Sequence, residues 1–153
     1  MKRLIRSSEE ILGMSIPKKD VAASLEQITR KLMEHLIKLY MYPDVWHASH
    51  WRQEVHTLLH QVSRFKGSKK FPSSKFILDN TININKDLIK VMYEDIEADY
   101  SDENGASRRV YSKELVYVVY EYFEWVAKEL SSRGQVFRKA VYAKLEELGL
   151  GRD

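Results

Sequence analysis

Residues 33–70 read MEHLIKLYMYPDVWHASHWRQEVHTLLHQVSRFKGSKK. This stretch decides the fold, because it joins the end of one apolar period, a turn and the whole of a second period. On its N-terminal side Val21, Leu25, Ile28, Leu32, Leu36 and Leu39 recur at steps of three and four. That spacing places them on one face of a helix, and Pro17 suits its first turn. Pro43 stops the helix, and YPDVWHAS turns the chain. Ser49 is a good N-cap. After it, Trp51, Val55, Leu58, Val62 and Phe65 keep helical spacing over 50–65. A connection this short predicts antiparallel neighbours, with Leu36 and Trp51 facing each other across the seam.

Working outward, KGSKKFPSS reads as a loop, with Ser73 or Ser74 capping a long helix that runs to about Tyr100. Along it Ile77, Thr81, Ile84, Leu88, Ile89, Met92 and Ile96 cover an arc of about 200°, wide enough for more than one neighbour. SDENGASRR is a polar loop, and Ser112 caps a helix over 113–131. Its LVYVVY core has the β-branched and aromatic character of a strand. The helical spacing of Leu115, Val119, Tyr122 and Val126 decides for helix. Gly134 separates it from a last helix carrying Phe137, Val141, Leu145 and Leu148 on one face, with Gly149 as its C-cap. Upstream, Ser7 and Glu10 stand in capping-box spacing ahead of Gly13, which predicts a short N-terminal helix. The reading is a single all-α domain over 1–153, a helical bundle of four main helices plus a short N-terminal helix.

The 153 residues include no cysteine, which excludes a disulfide framework, a cysteine-ligated metal and a thiol nucleophile. The basic start MKRLIRSSEEILGM lacks the apolar run of a signal peptide, and no apolar stretch is long enough to span a bilayer. A cytoplasmic protein with no membrane partner is expected. The net charge of +3 permits an anionic partner without demanding one.

All five histidines lie in the quoted stretch. His56 and His60 in HTLLH share one helix face and form the candidate metal pair. His47, His50 or His35 would be a third ligand, and Asp44 or Glu54 a carboxylate. With Trp51 at zero, the apolar face centres near 10° while His56 and His60 fall at about 140° and 180°, pointing away from the core. His35 sits at the edge of its own apolar face, where a hydrogen-bonded bridging role fits. No serine elbow, phosphate loop or dinucleotide fingerprint occurs. No catalytic residue and no cofactor is assigned.

Two further features bear on partners. Arg64, Lys66, Lys69, Lys70 and Lys75 form a run of five cations with no acidic residue, interleaved with Phe65 and Phe71. Such a run can grip phosphates and stack bases, and it is equally what a solvated loop looks like. Asn85 falls in the middle of the apolar arc of the 74–100 helix. A buried amide there needs a partner such as His35 or Tyr120, unless the helix breaks at TININ, residues 81–85. The 113–131 helix carries apolar or aromatic groups around about 220° of its circumference, including Tyr117, Tyr120, Tyr122, Phe123 and Trp125. Either that helix is central or it contributes to a homodimer.

EHLIKLYMYPD followed by HASHWRQEV resembles the signature of a bacterial family designated a domain of unknown function, number 29 in its series. His35, Leu36, Ile37 and Lys38 match its first part, and Trp51 and Arg52 its second. Leu39 stands where the family favours tryptophan. The similarity covers residues 31–75 and implies a helical protein of no established activity. The expected function is a non-catalytic binding module for a macromolecular partner. The alternatives are a nucleic-acid-associated protein using the 64–75 loop and a histidine-based metal-dependent enzyme.

Overall fold

The computed structural model describes residues 18–66, 85–100 and 109–151. The fold is all-α. The described chain forms α1 (Lys18–Met41), α2 (Ala48–Lys66), α3 (Lys86–Tyr100), α4 (Lys113–Arg133) and α5 (Arg138–Glu147), with no strand among the described residues. The C-terminal helix is thus a fifth element. The short N-terminal helix expected around Ser7–Gly13 lies outside the described residues, as do positions 74–84 of the long helix expected to follow α2.

α1 is the hub. It packs against α2, α3 and α4, while α5 packs on α2. One apolar face would not serve so many neighbours. The last turns of α1 bury Met33, Ile37, Tyr40 and Met41 in addition to Leu32, Leu36 and Leu39. A helix apolar nearly all round belongs inside a bundle. The alternative that the 113–131 helix is central gives way to this arrangement, because α4 keeps an outer face in solvent.

α2 buries Trp51, Val55, Leu58 and Val62, as the period requires, and adds Ala48 and Leu59. Leu36 and Trp51 belong to the same core cluster. α3 buries Ile89, Tyr93 and Ile96, with Leu88 and Met92 half-buried, while Ile77, Thr81 and Ile84 of the arc read from the sequence lie outside the described residues. Burying an aliphatic or aromatic side chain of this size stabilises by about 1.5–3 kcal/mol.

The helix ends follow local chemistry. Gly134 adopts φ 77° and its N–H reaches Leu130 O, closing α4 in a left-handed cap. At the end of α5, Leu150 N donates to Leu145 O at 2.8 Å and Gly149 N to Glu146 O at 3.0 Å, with Gly149 at φ 75°. That is a Schellman motif, and both Leu145 and Leu150 are fully buried beneath it. Phe137 departs from the expected face. It is 48% exposed because it is the N-cap of α5, in extended backbone (φ −79°, ψ 146°), and so lies outside the helical phase of Val141 and Leu145. Lys144 ties α5 to α4 through Glu121 at 3.6 Å.

Tyr122 is fully buried, and its hydroxyl finds no hydrogen-bond partner among the described residues. Burial alone pushes its phenol well above the ordinary tyrosine range. A buried hydroxyl without a partner costs about 1–3 kcal/mol in lost hydration. Tyr122→Phe is therefore expected to melt at or above the parent temperature. A melting temperature lowered by several degrees would show that the hydroxyl holds a partner.

Candidate functional site

The outer face of α4 is built by its own start and its own period. Ser112 is the N-cap, in extended backbone, and its Oγ accepts from Glu114 N at 3.2 Å. The same Oγ lies 3.2 Å from Tyr40 Oη, which anchors the first turn of α4 to the end of α1. Leu115, Val118, Val119, Tyr122, Phe123, Val126 and Leu130 then face the core. At about 100° per residue the opposite side carries Lys113, Tyr117, Tyr120 and Glu124, all exposed. Tyr117 is 59% exposed and Tyr120 40%. Of the aromatic residues credited to this helix, Tyr122 and Phe123 are core, Trp125 packs partly against the core, and Tyr117 and Tyr120 are exposed on the outer side.

The histidines divide among different surroundings. His35 is half-buried at the edge of α1, and its Nδ1–H donates to Lys31 O at 2.7 Å. Desolvation holds its pKa below the ordinary histidine value. Lys38 pushes the same way, against the Lys31 bond, Glu34 and Glu54. His56 and His60 place their rings 6.4 Å apart. His60 is exposed and His56 half-buried. Desolvation lowers the pKa of His56, and so do Arg138 of α5 and His60. His47 stacks on Trp51 at 5.8 Å between ring centroids and lies 3.6 Å from Trp46, and His50 pairs with Glu54 at 3.7 Å. No group of three or more His, Cys, Asp or Glu residues able to hold a metal ion occurs among the described residues.

The low pKa of His35 carries a pH dependence. The unfolded chain binds a proton near pH 6.5, while the folded chain resists it. The corresponding stability is complete above the unfolded pKa and is lost as pH falls through the folded value. The urea midpoint is expected to drop between about pH 7.5 and pH 5, and less steeply in His35→Gln. Parallel drops in the two proteins would remove His35 from the account.

Asn85 stands outside the helix, the second of the two placements the sequence left open. α3 begins at Lys86, and Asn85 is its N-cap, with Oδ1 accepting from Leu88 N at 2.9 Å. An asparagine that can satisfy an orphan N–H of the first turn competes well against remaining inside a helix. His35 and Asn85 each form a hydrogen bond within or beside their own helix. Lys69, Lys70 and Lys75 lie outside the described residues, and Arg64 and Lys66 close α2.

A site the sequence did not disclose lies around Arg109. Its backbone N donates to Met41 O at 3.1 Å and its Nε to Tyr40 O at 2.6 Å, both at the end of α1. Its Nη2 donates to Gly149 O after α5, and the guanidinium lies 4.5 Å from the centre of the Tyr40 ring. Beside it is a cavity of about 430 Å³ lined by Pro43, Asp44, Arg109, Glu146, Gly149 and Gly151. A Cβ at Gly151 would collide with the Arg52 guanidinium, so α2 reaches the same corner. The carbonyls already engage the guanidinium, and Asp44 and Glu146 disfavour an anion. The corner reads as a structural clamp. Arg109 sits in a loop with no periodicity, so the only signal was a pair of adjacent arginines, Arg108 and Arg109, three residues before the capping Ser112.

Comparison with family models, curated proteins and solved structures finds no match. No described helix is long and apolar enough to cross a membrane.

Proposed function

We propose that this chain is a non-catalytic binding module whose contact surface is the outer face of α4. The observation that carries the reading is the pair Tyr117 and Tyr120, exposed on the side of the helix opposite its core stripe. Exposed tyrosines are enriched where proteins meet, because the ring supplies contact area at low entropic cost and the hydroxyl stays satisfied. A homodimer through residues 113–131 is one form of association such a face supports. Kinship with the helical family resembled by residues 31–75, and a cytoplasmic location, belong to the same proposal. The test is a photo-crosslinking residue at Tyr117 of the full chain, with one at the exposed Asp95 of α3 as control. A discrete adduct from position 117 alone is expected. Adducts from neither position, or equally from both, would overturn the reading.

A second reading is favoured by one observation. α5 packs on α2 and carries the exposed Arg138 in its first turn, so cations of α5 stand on the helix that leads into the basic run. Lys139 is exposed beside Arg138. This surface, together with the basic run 64–75, would serve a nucleic acid through its phosphates. Retention on a polyanion column should then fall steeply with salt, and the salt slope should shrink in Arg138→Glu/Lys139→Glu. An unchanged elution would end this alternative. The metal-enzyme reading has no third ligand beside His56 and His60 among the described residues.

A further inference from the structure

We propose that the partner of the α4 face is a second copy of this chain, docked antiparallel across a twofold axis at the level of Val118–Val119. This rests on the binding reading above. The exposed stripe is Lys113, Tyr117, Tyr120 and Glu124, spaced by four, three and four. That spacing is the same read in either direction. A twofold axis midway along the stripe therefore sets Tyr117 of one copy against Tyr120 of the other, twice. It also sets Lys113 against Glu124, twice, so opposite charges meet at both ends.

Other pairings of the same face lose this match. In a parallel pair Lys113 would face its own counterpart, and so would Glu124. Moving the antiparallel axis by two residues, to lie between Tyr120 and Glu121, sets Lys113 against Lys128, which is also exposed, and Tyr117 against Glu124. Like charges brought together at an interface are costly, so the ends of the stripe specify the register as well as the partner. An isologous contact of this kind closes on itself and leaves no surface for further growth. The stripe is short, which puts the contact at the small end of protein interfaces, with a dissociation constant in the range of about 10 µM or weaker.

Sedimentation equilibrium of the full chain up to several hundred micromolar measures the association. A monomer–dimer equilibrium is expected, weakened about tenfold by either Lys113→Glu or Glu124→Lys and restored when both changes are made in one chain. The register is read separately, and the absence of native cysteine makes it clean. Chains carrying Lys113→Cys and Glu124→Cys are mixed and treated with a short bis-maleimide. The antiparallel pair predicts crosslinks between the two kinds of chain and none within either kind, because like positions lie about 16 Å apart along the axis. Crosslinks within one kind would overturn the register while leaving a dimer through α4. A monomer at every concentration would overturn the second copy as occupant. An adduct at Tyr117 of some other mass would then still uphold the binding reading.

Discussion

Trp51→Ala is expected to lower the unfolding free energy by about 3–5 kcal/mol, a large part of the total for a domain of this size. Trp51 is 4% exposed in the first turns of α2, within the cluster that also buries Leu36. Its ring is bounded by the stacked His47 and by Lys38 Nζ at 5.8 Å from its centre. Alanine would leave a void between α1 and α2 and would also remove the cation–π contact, worth about 0.5–1 kcal/mol where it is solvent-exposed. Trp46 is the internal control. It is 75% exposed five residues earlier, and Trp46→Ala should change stability by no more than about 0.5 kcal/mol. Urea titrations of both variants decide the matter. Equal midpoints for the two would mean that the α1–α2 packing is not where the stability lies.

The same two helices show what periodicity can and cannot reveal. Trp51, Val55, Leu58 and Val62 were legible because α2 has one buried side, and a single stripe at steps of three and four admits one reading. α1 was legible as a helix but not as the hub. Its extra buried residues Met33, Ile37, Tyr40 and Met41 broaden the stripe only near its end, and breadth alone does not say which neighbours fill it. Asn85 was read against the apolar arc around it, when its own chemistry as a cap decided where α3 starts. Phe137 obeyed the spacing of α5 yet stands before its first turn. The outward tyrosines of α4 were visible as an excess of aromatic surface. Separating them from Tyr122 and Phe123 took the packing, which fixes which side of the helix meets α1. Arg109 left no trace in any pattern, because its partners are backbone carbonyls of residues distant in sequence.

Arg109→Ala is expected to cost about 2–4 kcal/mol, since hydrogen bonds from a charged group contribute about 1.5–3 kcal/mol each when partly buried. The reason lies in what ends at this corner. α1 finishes at Met41, leaving the carbonyls of its last turn without helical partners. The Arg109 Nε takes Tyr40 O, and the backbone N takes Met41 O. The far side of the fork takes Gly149 O, so one planar group closes α1 and holds the tail beyond α5 to it. A cation is also favoured at the negative end of a helix dipole. Because residues 109–112 lead straight into α4, losing the clamp should loosen three helix ends together. The backbone N–H contact survives substitution, which bounds the loss. Arg109→Lys separates charge from geometry: an ammonium keeps the dipole interaction but cannot span two carbonyls in a fixed fork. It should therefore recover about half of the alanine loss. Hydrogen exchange supplies the local readout, with the amides of Gly149 and Leu150 exchanging faster in Arg109→Ala than in Arg109→Lys. Lysine and alanine variants of equal stability would mean the fork contributes nothing. An alanine variant as stable as the parent would mean that the packing of α1 holds this corner without it.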